Sequence, residues 1–260
     1  IPLILYDQGN SGRSYELPSP SSTDIESTML NYVSELHRVL QIFDINDDTN
    51  VKVHLLGHSF GASIAIDFAN AYPLKIASLI LLSPTIDGSW WLDDANFHRK
   101  YVSNDVNHIP VIGDESISNE LVLRWVLGPE LKYKDVLRWI CKPSNEVYST
   151  IWGKNEDVPD GQVAHYHREN ILIKLKKKYN LPIMIGCGLL DEATPKRMLD
   201  LASRLNSISN LGTYKDDINT RVPVVILPHS AHCVASKDWK YYIRTIGSFI
   251  QNRKVKPIAT

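Results

Sequence analysis

Cysteine is scarce in this chain of 260 residues: three in all, Cys141, Cys187 and Cys233, odd in number and widely spaced. Such a set builds neither a disulfide framework nor a CxxC metal knuckle, and it fits a reducing, cytoplasmic compartment. Long apolar runs are missing as well. The longest, Ile76 to Leu82, is weakened by Ala77 and Ser78 and falls far short of the roughly 18 residues that a membrane span requires. Excess charge of either sign is also absent: 28 Lys and Arg stand against 29 Asp and Glu, for a formal net charge of -1. Without a basic field, neither nucleic acid nor anionic lipid is an expected partner. What is present is ordinary globular material, 43% hydrophobic and 22% charged, enough to bury a core.

The apolar pattern divides the chain. Ile1 to Tyr6 is a short run bounded by a turn cluster, Asp7 to Ser14, and reads as a strand buried on both faces. From Thr23 to Phe43 the positions Ile25, Met29, Tyr32, Val33, Leu36, Val39 and Leu40 follow helical spacing. Strand, helix and strand then alternate over Val51–Leu56, Ser59–Tyr72 and Ile76–Leu82, which implies a parallel sheet with right-handed crossovers. From Asp87 to about Lys178 the pattern is helical, and five of the six tryptophans fall there. The alternation resumes with strands at Ile183–Gly188 and Val222–Leu227 and helices at Pro195–Asn206 and Asp238–Gln251. The expected architecture is an α/β core over residues 1–87 and 179–260, interrupted by a helical cap over 88–178.

Three segments read as structural rather than functional. The Asp- and Asn-rich stretch 44–50 lacks the glycine and final glutamate of a calcium loop. His165 and His167 have no carboxylate at ligand spacing. The KLKKK run at 174–178 reads as a solvated helix face. No metal site is expected.

The informative segment is Gly57-His58-Ser59-Phe60-Gly61, a GxSxG placed between a buried strand and an amphipathic helix. On a tight strand-to-helix bend Ser59 is held out at the C-terminal edge of the sheet, and a Cβ at either flanking glycine is expected to collide with neighbouring backbone. The Phe60 N–H, at the helix N-terminus, faces a developing oxyanion. A serine needs a base and an orienting carboxylate. Asp191 follows a strand end, and His229 and His232 follow the last strand. His232 is preferred, because a loop residue beyond the strand reaches further towards Ser59. The order Ser, Asp, His is that of the α/β hydrolases. None of the three cysteines lies on a comparable elbow.

These motifs resemble the proline iminopeptidase branch of the α/β hydrolases, which includes the tricorn-interacting aminopeptidase. Tyr6-Asp-Gln-Gly-Asn-Ser-Gly-Arg-Ser14 looks like that family's YDQxGxGxS turn, and Leu190-Asp191-Glu192-Ala193-Thr194-Pro195 like its acid loop. Ser230-Ala231-His232 resembles its histidine loop, and Trp152-Gly-Lys-Asn-Glu156 its NGxNE cap segment, with Gly153, Asn155 and Glu156 in agreement. The resemblance implies a serine aminopeptidase with Ser59, Asp191 and His232 as its triad, and with Glu156 and Glu192 holding the free α-ammonium of a small peptide. No cofactor is implied. The family's HGGPG loop, which donates to the oxyanion, has no counterpart in the sequence. Its strand is expected between the Ile1–Tyr6 run and the elbow strand, so an N-terminal segment or a second chain is expected to supply it. An esterase, lactonase or amidase acting on a small metabolite, and an inactive binding protein, are the other readings of the scaffold.

Overall fold

In a computed structural model, residues 2–14, 24–45, 50–102, 128, 145–154, 159–209 and 221–251 are described. Helix α1 (Ile25–Ile42) starts where Asp24 accepts a hydrogen bond from the Ser27 N–H, and its apolar stripe from Ile25 to Leu40 is buried. Strands β1 (Val53–His58) and β2 (Ile76–Leu82) flank helix α2 (Phe60–Ala71). Then come α3 (Gly88–Val102), α4 (Asn145–Trp152) and α5 (Glu169–Tyr179), followed by β3 (Ile183–Gly188), α6 (Pro195–Ser209), β4 (Val224–Leu227) and α7 (Ser236–Ile250).

The four strands form one parallel sheet in the order β1-β2-β3-β4. Alternate residues of β2 divide between two cores, as pleating requires. Leu79 and Leu81 join the larger core with α1, α2 and α6, while Ile80 and Leu82 pack with Met184, Val225, Leu227 and Tyr242 of α7. Helix α5 lies against α2 and α6. At its start Arg168 bonds Asp67 of α2 at 2.8 Å and Glu26 of α1 at 2.7 Å, pinning three helices with one guanidinium.

Two expectations fail here. The described part of the Ile1–Tyr6 run forms no strand: residues 2–8 lie outside the sheet, with Leu3 and Leu5 80% and 82% exposed. An extended segment becomes a strand only when a neighbour supplies the hydrogen-bond ladder. Beside β1 there is instead a cleft of about 460 Å³, lined among others by Ile4, Leu36, Val53, Leu55, Gly61 and Ile64. Among the described residues, strand β1 is therefore an edge. The lysine run is not wholly solvated either, because Lys176 is buried and its amine is held below its ordinary pKa by desolvation. No helix among the described residues is long and apolar enough to cross a membrane.

Candidate active site

At the end of β1 the chain turns sharply. Ser59 has φ 54° and ψ -127°, in the left-handed half of backbone space, and α2 begins at the next residue. A non-glycine residue held there costs on the order of 1–3 kcal/mol, a strain the surroundings must offset. The Ser59 N–H bonds the Leu82 carbonyl at 3.0 Å, and the Ser63 hydroxyl of α2 bonds the Thr85 carbonyl at 2.7 Å, so the elbow is tied to β2 and the loop after it. A Cβ on Gly57 would strike the Gly61 carbonyl and the Ala62 backbone, which explains that glycine. The expectation for Gly61 fails, since a Cβ there meets nothing within 4 Å. Gly61 faces the open cleft beside β1, and the crowding expected from the motif is absent on that side.

Two loops meet at the same edge of the sheet. Asp191, 1% exposed, follows β3 and accepts four hydrogen bonds. These come from the Ser83 hydroxyl at 2.5 Å, the Gly188 N–H at 3.0 Å, the Ala193 N–H at 2.9 Å and Nδ1 of His232 at 3.0 Å. Burial alone would push the Asp191 carboxyl up; the charge and hydrogen bond of His232, with the Ser83 and Ala193 donors, outweigh it and hold the group below the ordinary carboxylate value. With its Nδ1–H given to a carboxylate, the neutral His232 ring presents Nε2 as an acceptor. His229 is exposed, its backbone N–H bonded to Asp238. The histidine loop is braced by Ser230, whose hydroxyl donates to Asp238 at 2.6 Å and accepts from the Ala235 N–H at 3.0 Å.

The His232 ring lies in an aromatic setting. His58, the residue before Ser59, packs against it at 4.8 Å, and its Nε2 donates to the His232 carbonyl at 2.8 Å. Trp91 of α3 meets it edge to face at 5.7 Å, and Trp152 of α4 packs on Trp91 at 5.5 Å. Helix α3 thus reaches the His232 ring directly, and α4 reaches it through Trp91. Helix α3 is also latched to the acid loop, since Asp94 accepts from the Thr194 hydroxyl at 3.1 Å and from Arg197 at 3.4 Å. Glu192 lies with Oε1 3.5 Å from His232 Nδ1, so two carboxylates lie close to that nitrogen. Phe60 opens α2, where the helix geometry leaves the backbone N–H without an intrahelical acceptor. Glu156 lies outside the described residues. Burial, and secondarily the Asp191 charge, push the Cys187 thiol up, which makes it a poor thiolate.

A family model described as "Serine aminopeptidase, S33" matches residues 4–146, more than half of the chain and including the elbow. The chain belongs to the S33 serine aminopeptidase family. Proline iminopeptidase from Heyndrickxia coagulans is 24% identical over 262 residues, spanning 96% of this chain and 82% of that enzyme. The proline iminopeptidase of Lactobacillus crispatus is 28% identical over 209 residues, and there the match spans 74% of this chain and only 66% of the relative. Among solved structures, a proline iminopeptidase from Mycobacterium smegmatis superposes with a TM-score of 0.62 at 18% identity, covering 86% of this chain and 71% of that one. The fold is that of the α/β hydrolases.

Within this S33 chain three neighbours of the site carried no usable sequence signal. Ser83 directly follows β2, and its φ of 47° turns its hydroxyl onto Asp191. His58 occupies the variable position of GxSxG. Trp91 was one of several cap tryptophans, and only packing singles it out. A positive-φ serine just past a strand was the one feature with a recognisable physical cause, and nothing local in the sequence declares the sign of φ.

Proposed function

We propose that the protein is a serine aminopeptidase of the proline iminopeptidase kind, releasing the N-terminal residue of small peptides. The observation that carries the reading is the buried Asp191–His232 hydrogen bond, at the edge where the strained Ser59 elbow emerges. Ser59 Oγ attacks the first peptide carbonyl while His232 Nε2 takes the hydroxyl proton. The Phe60 N–H stabilises the oxyanion. As the tetrahedral intermediate collapses, His232 returns the proton to the departing amine, leaving an acyl-enzyme on Ser59. Water, deprotonated by the same imidazole, releases the acid. Asp191 holds the ring in the tautomer this requires.

The Trp91–Trp152 pair forms an apolar wall beside His232, suited to a compact first side chain such as proline. Glu192, with Glu156, would anchor the α-ammonium and set the scissile bond one residue in. A second oxyanion donor is needed, since losing one such donor costs roughly 3–4 kcal/mol. The cleft beside β1 is where a further strand, from this polypeptide or another, would bring it.

A fluorophosphonate probe and a panel of aminoacyl arylamides test the reading in the intact natural protein. Labelling is expected at Ser59 and lost in Ser59→Ala, with prolyl arylamide turned over and its N-acetyl form refused. Equal turnover of the acetylated substrate would convert the reading to an esterase or amidase. Absence of labelling would leave a non-catalytic binding protein.

A further inference from the structure

His58 has no part in the chemistry above, yet its ring lies closer to that of His232 than the ring of Trp91 does. Its ring centroid is 4.8 Å from that of His232 with the planes tilted by 42°, and its Nε2 lies 2.8 Å from the His232 backbone carbonyl. A carbonyl only accepts, so Nε2 bears the proton whatever the charge of the ring. The two contacts join residues 174 apart in sequence. One partner, His58, is the last residue of β1 and directly precedes the serine; the other sits on the loop after β4 that carries the imidazole.

We propose that His58 is a positioning residue, a strut that fixes the separation of the Ser59 hydroxyl from the His232 ring by bonding the backbone of the base-bearing loop to the elbow itself. The inference rests on the serine hydrolase reading and adds a residue to it. The Asp191 bond sets the tautomer and tilt of the His232 ring, and Ser230 ties the loop to Leu190 and to Asp238 of α7, but none of these bonds reaches the elbow to set the loop's height over it. The His58 bond supplies that coordinate. Desolvation by burial, then the positive charge of a protonated His232, push the His58 pKa down to about 4. The strut is therefore uncharged at neutral pH, and the imidazolium formed when Ser59 gives up its proton meets no second cation.

A strut of this kind acts on alignment after binding, so its loss should lower kcat and leave KM nearly unchanged. His58→Phe keeps a ring against His232 and removes the donor. His58→Gln keeps an amide N–H near the same carbonyl. Fluorophosphonate labelling rates and p-nitrophenyl acetate kinetics, with melting temperatures for each variant, separate the possibilities in the intact natural protein. The expected result is a fall in kcat and labelling rate of about 10- to 100-fold in His58→Phe with KM within about 2-fold, and recovery to within about 5-fold in His58→Gln at a similar melting temperature. Should His58→Phe not fold, His58→Asn, whose amide is too short to reach, takes its place. Equal losses in the donor-keeping and donor-lacking variants, or wild-type kcat in both, would overturn the strut. If Ser59→Ala labels as well as wild type, the serine hydrolase reading itself fails, and that outcome is read independently of His58.

Discussion

Two desolvated imidazoles near the site, His98 buried and His58 largely so, resist protonation. His58 and His98 are both held down to a pKa of about 4, each chiefly by desolvation. His98 is only 3% exposed. In the unfolded chain each ring takes its proton near 6.5. Between pH 6.5 and 4 the unfolded state therefore binds more protons than the fold, and stability falls as pH drops through that window. It is fully present above it. For His98 the ceiling is on the order of 3 kcal/mol. Asp191 acts in the same direction further down, because its depressed carboxyl contributes stability above the ordinary carboxylate value that is lost as pH falls below it. Calorimetry should show the melting temperature descending from pH 7 to 4.5, with a shallower descent in His98→Phe. An unchanged slope in that variant would refute the assignment.

At the scale of elements, the strand-to-helix elbow makes opposite demands on its two glycines. A methyl on Gly57 runs into the backbone of α2, whereas one on Gly61 enters open space. Gly57→Ala should lower the urea midpoint by the equivalent of about 2 kcal/mol or more, as overpacking against backbone does. Gly61→Ala should stay within about 1 kcal/mol of wild type, the helix propensity of alanine offsetting small losses. Equal midpoints for the two variants would contradict the packing at the elbow. Elements were largely legible in the sequence: β2 and β3 have the expected bounds, and α1 keeps its stripe because helical periodicity is a local property. The Ile1–Tyr6 run was not legible, since an apolar hexamer acquires strand structure only from a neighbour.

At the scale of the molecule the notable feature is the side of β1 that no other described strand pairs. Leu56 is 51% exposed and Val51 50%, beside the cleft and the exposed Leu3 and Leu5. An apolar edge strand is a template for pairing with another chain. Light scattering on the 260-residue chain should detect concentration-dependent self-association, reduced by Leu56→Lys. A monomer at all concentrations, unaffected by that change, would mean the edge is protected.

The sequence by itself determined the alternation of strands and helices from β1 onward and the sharp turn at Ser59, because each is written in local spacing and in residues with few other uses. It could point to Asp191 and His232 but not to the Ser83 hydroxyl that completes the carboxylate's coordination, nor to the His58 and Trp91 contacts on the imidazole. Those were decided by tertiary structure, since they depend on the sign of a backbone angle and on which loop ends converge at the sheet edge, and both are set by packing between segments distant along the chain.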